Sequence, residues 1–148
     1  MSVMPGDPPA QCLFCRIIRK EEPAEILYET PGVIALLDIH PIHFGHTLII
    51  PRTHSTDLLS VPGDELSDIM NTTQLVARAL VDALGLKGFN IFSNNGRIAG
   101  QSVFHFHMHI TPRHADDNIR FVLHLKEYPL GELRQTAESI RRSIAAFE

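Results

Sequence analysis

A chain of 148 residues, 44% hydrophobic and 20% charged, has the size and make-up of one globular domain able to bury roughly two-thirds of its unfolded surface. Its formal net charge of −4, with no basic run longer than two residues, argues against sequence-independent nucleic-acid binding. No stretch approaches the ~18 apolar residues of a membrane span, and two cysteines make no disulfide scaffold, so a reducing cytoplasm is the expected compartment.

The first ten residues, rich in proline and lacking a charged-then-apolar pattern, read as a disordered leader, with residues 11–148 as a single domain. Cys12-Leu13-Phe14-Cys15 runs into a short helix through Lys20, which Pro23 is expected to stop. Residues 26–29 and 33–38 read as two strands around the Pro31-Gly32 turn, and 46–51 as a third. A long helix is predicted over 64–84: Leu66, Ile69, Met70, Thr73, Val76, Ala77, Leu80, Val81 and Leu84 recur at spacings of three and four, and Gly85 suits its end. Residues 88–94 form a fourth strand and 103–111 a fifth, ended by Pro112. A short edge strand over 119–125 and a helix over 131–147 complete the chain. Strands joined by short turns, with one helix between the third and fourth, define an α+β domain on an antiparallel sheet.

The fifth strand carries the chemistry. His105, His107 and His109 alternate with Phe104, Phe106, Met108 and Ile110, a period of two that sends the imidazoles to one face and the apolar residues to the core. Three imidazoles at fixed spacing supply a nucleophile, a proton carrier and a metal ligand. Just before them, Ser93-Asn94-Asn95-Gly96 and Gly100-Gln101-Ser102 combine glycines, amides and hydroxyls, the composition of a phosphate cradle. Asp38, on the loop after the second strand, suits either ribose hydroxyls or a loop cap. Cys12 and Cys15 have three readings: a redox pair, two inert buried thiols, or half of a tetrahedral zinc site. For the last, His54 and His105 are the best-placed partners.

Taken together, these motifs resemble the histidine triad (HIT) superfamily. His105-Phe106-His107-Met108-His109-Ile110 matches its His-φ-His-φ-His-φ signature, where φ is apolar. The Cys12 to Cys15 pair, Asp38-Ile39, Gly45-His46-Thr47-Leu48-Ile49-Ile50-Pro51 with His54, Ser93-Asn94 and Gly100-Gln101-Ser102-Val103 follow in the family's order. The resemblance implies a sheet continued across a homodimer and a purine nucleotide substrate. His107 would attack the α-phosphorus to form a nucleotidyl-histidine, and water would release the nucleoside monophosphate. His109 would contact the phosphate and assist proton transfer. Asn94, Gln101 and Ser102 would hold the phosphate and leaving-group side, Asp38 the ribose, and Phe14, Ile39 and Leu36 the base, with His46 at the site edge. The zinc ligands would be Cys12, Cys15, His54 and His105, in a structural role, with no organic cofactor. Gly-Gln-Ser-Val resembles the Hint branch and its bacterial relatives, which hydrolyse purine nucleoside phosphoramidates. A diadenosine polyphosphate hydrolase of the Fhit type, or a nucleotide-binding regulator with incidental catalysis, are the alternatives. The chain has no tryptophan, so it lacks the Trp-bearing tail of animal Hint proteins, which shapes the leaving-group side.

Overall fold

A computed structural model describes residues 9–148, so most of the expected leader lies outside the described residues. Packing divides the chain into one unit ending at Asn118 and a second spanning Ile119–Glu148.

In the first unit a short helix α1 (Leu13–Ile18) precedes strands β1 (Ile26–Glu29), β2 (Val33–Leu37) and β3 (Thr47–Pro51). Helix α2 (Leu66–Leu84) follows, then β4 (Gly88–Phe92) and β5 (Met108–Arg113). The five strands form one antiparallel sheet in the order β1-β2-β3-β5-β4. Strands β2 and β3 are covered on both faces, which is why Val33-Ile34-Ala35-Leu36 and Leu48-Ile49-Ile50 are unbroken apolar runs. Val33, Ala35 and Ile49 join the α2 core with Ile69, Val76 and Leu80. Ile34, Leu36, Leu48 and Ile50 face the other way and pack with Cys12, Phe14, Cys15 and Ile17 of the N-terminal segment. Burying each such aliphatic side chain stabilises the fold by about 1.5–3 kcal/mol.

Helix α2 ends as its sequence requires, with Gly85 in the left-handed region at φ 61°. It begins at Leu66, two residues later than its periodicity suggests, because the Glu65 N–H closes a turn on the Pro62 carbonyl (3.0 Å). Met70 and Leu84 of the expected core stripe are each 44% exposed. Gly45 ends the β2–β3 loop at φ 91°, a conformation that residues with a side chain rarely adopt, and a Cβ there would also displace the end of the Leu84 side chain, 2.6 Å away.

Three sequence expectations are corrected. The short first helix stops before Pro23: Lys20 adopts φ 63° and its N–H bonds the Ile17 carbonyl at 2.9 Å. The histidine strand starts at Met108 rather than at residue 103 and runs through Pro112 to Arg113. Residues 103–107 leave the ladder because they have other partners, among them the Phe106 N–H, which bonds the Ser55 carbonyl at 2.6 Å. Pro112 is tolerated because β3 pairs no further than Ile110, so β5 needs no donor there on that side. The expected edge strand over 119–125 is absent; in the second unit residues 119–129 have no regular structure, and helix α3 (Glu132–Phe147) follows.

Candidate functional site

The stretch 103–109 places its three histidines in two adjoining groups. His105 is fully buried and joins Cys12, Cys15 and His54, whose ligand atoms all lie within 4.8 Å of one another. Its Nδ1 stands 3.4 Å from Cys12 Sγ and 3.5 Å from Cys15 Sγ, and His54 Nδ1 is 3.3 Å from Cys15 Sγ. Zn–S bonds of ~2.3 Å and Zn–N bonds of ~2.0–2.1 Å at tetrahedral angles give S···N edges of about 3.6 Å. The donor set therefore fits a tetrahedral metal. The far nitrogen of His105 agrees: Nε2–H donates to the Pro51 carbonyl at 2.7 Å, which leaves Nδ1 as a lone pair turned toward the cysteines. Burial first, and then the neighbouring Cys12, push the Cys15 thiol up from its ordinary value, so a cation is needed to hold the Cys15 sulfur as a thiolate.

His107 and His109 form the second group, with ring centroids 4.8 Å apart. His107 Nδ1 lies 2.7 Å from the His105 carbonyl. A carbonyl only accepts, so Nδ1 carries the proton and Nε2 is left with a free lone pair. Burial keeps this imidazole below its usual range, against the opposing pull of that hydrogen bond. The Phe14 ring packs against it in a T-shaped pair, with centroids 5.0 Å apart.

His46 fixes the tautomer of His109. The Ile42 N–H donates to His46 Nδ1 at 3.1 Å, so His46 carries its proton on Nε2 and donates it to His109 Nδ1 at 2.9 Å. His109 therefore holds its own proton on Nε2, a buried atom with no hydrogen-bond partner among the described residues. Phe92 stacks on the same ring at 4.5 Å with planes 9° apart, fixing its orientation. Burial, then the neighbouring His107 and His46, depress His109 to about 4, and burial likewise lowers His46.

Both imidazoles thus fold in the neutral form, whereas the unfolded chain takes up protons below about 6.5. Folding stability is then complete above pH 6.5 and is lost as pH falls from 6.5 toward 4. Urea titrations at pH 7.5 and 5.0 should differ by about 1 kcal/mol from His109, half of the unscreened linkage once solvent screening is allowed for. Equal stability at the two values would contradict the neutral assignment.

A cavity of about 550 Å³ opens onto this group, within the range of small-ligand sites. His107, His109, Ser102 and Asp38 line it together with Phe14, Leu36 and Ile39. Asp38 Oδ1 caps the loop through the His40 N–H at 2.8 Å, while Oδ2 lies 3.8 Å from His46 Nδ1. Asn94 and Gln101 are occupied elsewhere. Asn94 Nδ2 reaches the Gly100 carbonyl at 3.5 Å, and the buried Gln101 amide accepts from the Gly96 N–H (2.8 Å) and donates to the carbonyls of Thr56 (2.7 Å) and Val103 (3.1 Å). Both brace the loop that carries Ser102. Sequence reading did not single out Phe92, whose place over His109 follows from the cross-strand pair Phe92↔His109. It also missed Leu13, Ile17 and Glu22 on the cavity wall; the helical spacing of Leu13, Phe14 and Ile17 was the available signal.

Residues 19–116 match the HIT domain model, and the chain belongs to that family. Adenosine 5'-monophosphoramidase HNT1 of Saccharomyces cerevisiae is 42% identical over 70% of this chain and 63% of its own length. Adenylylsulfatase HINT3 of Arabidopsis thaliana is 36% identical over 92% of this chain and 71% of its own. A Zn-bound histidine triad family protein from Mycobacterium smegmatis superposes with a TM-score of 0.72 at 32% identity, covering 95% of this chain and all of the other. No helix among the described residues is long and apolar enough to cross a membrane.

Proposed function

We propose that this protein hydrolyses purine nucleoside 5′-phosphoramidates through a nucleotidyl-histidine intermediate. The observation that carries this reading is the pairing of a lone pair with a donor: His107 Nε2 is free, and the partnerless Nε2–H of His109 stands beside it on the same cavity wall. The lone pair attacks the α-phosphorus, the P–N bond breaks, and the leaving nitrogen departs as an amine with a proton taken from solvent, which the later hydrolysis returns. The His105 carbonyl, already bonded to Nδ1–H, stabilises the positive charge that develops on the His107 ring. His109 Nε2–H meets the phosphate oxygens where negative charge gathers. Water then cleaves the P–N bond to His107, so one water is consumed and an amine and a nucleoside monophosphate are released. Ser102 and the loop braced by Asn94 and Gln101 frame the phosphate, Asp38 takes the ribose, and Phe14, Leu36 and Ile39 enclose the base.

Turnover on adenosine 5′-phosphoramidate, adenylyl sulfate and diadenosine polyphosphates discriminates the readings. The phosphoramidate should have the highest kcat/KM by at least tenfold. Preference for a dinucleotide would favour the Fhit-type alternative, and tight nucleotide binding without turnover a regulator.

The Cys12, Cys15, His54 and His105 group is assigned to a structural zinc, supported by its closed four-donor set. A homodimer also belongs to this reading. Among the described residues strand β4 is the last strand of the sheet and bears the exposed Phe89 and Ile91, which with Met70 line an apolar groove of about 540 Å³. A second copy pairing there on a two-fold axis would extend the sheet and bury the groove. Light scattering at micromolar concentration should return twice the chain mass; a monomer mass would remove the dimer from the reading.

A further inference from the structure

The cavity beside His107 is walled mainly by apolar residues and carries, besides the histidines, Ser102 and Asp38, a second carboxylate residue, Glu22. Helix α1 sets the order along it. Phe14 touches the His107 ring, and Ile17 stands three residues on, about 4.5 Å further along the helix axis. The helix then stops, Lys20 turns the chain at φ 63°, the Glu21 N–H closes on the Arg16 carbonyl at 2.9 Å, and Glu22, Pro23 and Ala24 return along the wall. Glu22 thereby joins the cavity wall on the segment that follows α1, beyond Ile17 in the chain. Its side chain is 32% exposed and pairs with the Arg16 guanidinium, which does not line the cavity.

We propose that Glu22 reads the outer edge of the base and makes the site prefer guanine to adenine. The proposal rests on the nucleotide reading above: with the phosphate at His107 and the ribose at Asp38, the base runs between the apolar walls and its far edge reaches Glu22. An ionised carboxylate is an acceptor at both oxygens. Guanine offers two adjacent donors on one edge, N1–H and the exocyclic amine, and can satisfy both. Adenine offers one amine beside the N1 lone pair, which faces the carboxylate without a proton between them. Pro23 has no N–H, so its place on the wall supplies no backbone donor to compensate adenine N1. The Arg16 ion pair fixes the carboxylate from the outside. A carboxylate that merely anchored the end of α1 would affect all bases alike.

The test is kcat/KM for guanosine, inosine and adenosine 5′-phosphoramidates in the native protein and in Glu22→Gln and Arg16→Gln. Guanosine should exceed adenosine by about tenfold, a modest share of what a good bidentate pair discriminates, with inosine between them. Glu22→Gln should bring the ratio to within about twofold, mainly through loss on guanosine, while Arg16→Gln should keep the order of bases. Equal use of the two bases by the native protein, or an unchanged ratio in Glu22→Gln, would overturn the proposal. Calorimetric binding of GMP and AMP answers the same question without turnover. Selective GMP binding with no hydrolysis would sustain the role of Glu22 and sink the hydrolase reading; equal affinity, or no binding of either, would sink the role of Glu22.

Discussion

Replacing His107 by glycine should lower kcat/KM on a nucleoside phosphoramidate by at least a thousandfold and abolish labelling of the protein by an α-labelled substrate. The size follows from the chemistry. Neither of the other two triad imidazoles offers the covalent step a free lone pair, because His105 has its Nδ1 turned into the cysteine group and His109 has its lone pair engaged by His46. Losing a nucleophile removes a whole reaction path rather than one contact. The native protein, quenched in base during turnover, should carry acid-labile label on His107. His109→Ala should cost less and still form the adduct, since it removes a donor to the phosphate and leaves the nucleophile in place. Retention of label or of most turnover in His107→Gly would displace His107 from its role.

Removing the metal should have the largest effect on stability. Purified protein is expected to contain one zinc per chain, and chelation should lower Tm by on the order of 10 °C, as a loss of several kcal/mol does in a chain of this size. Cys15→Ala should reproduce the shift without chelator, because the remaining three donors no longer close a tetrahedron. The expected order is that Tm falls before activity does, since no donor of this group faces the phosphate. Protein without stoichiometric metal that keeps its full Tm in chelator would refute the assignment.

The two-faced strands were legible because burial on both sides demands unbroken apolar runs, and Val33 to Leu37 and Thr47 to Pro51 contain little else. The four metal-type donors were legible because cysteines two residues apart outside a redox context have few other uses. The histidine repeat marked the stretch that lines the cavity, yet its strict alternation misplaced the backbone. His105 and His107 stand outside the ladder because the Phe106 N–H and the His105 ring bond to residues 51–55, about fifty positions away, and no local pattern announces such partners. Glu22 reaches the cavity through a lysine at positive φ, a conformation that sequence does not favour. Gln101, polar and beside a glycine, looked like a phosphate contact, and only its burial at 4% exposure reveals an internal brace. Met70 was placed in the core because helical period alone cannot separate a core stripe from a face awaiting another surface.

The two histidine groups are joined through the His105 backbone, and this has a consequence for how the chain loses entropy. Contacts from Cys15 to His54 and from His105 to Pro51 join positions 39 and 54 residues apart. Closing flexible loops of that length carries a cost that grows only with the logarithm of their size, so the penalty is settled once, when the chain ends of each loop meet. Anything that fastens the cysteines to the histidines acts on the denatured ensemble as a cross-link would, excluding expanded conformations. Because the His105 carbonyl also orients His107, the same closure that removes those conformations sets His107 in the tautomer that keeps its proton on Nδ1.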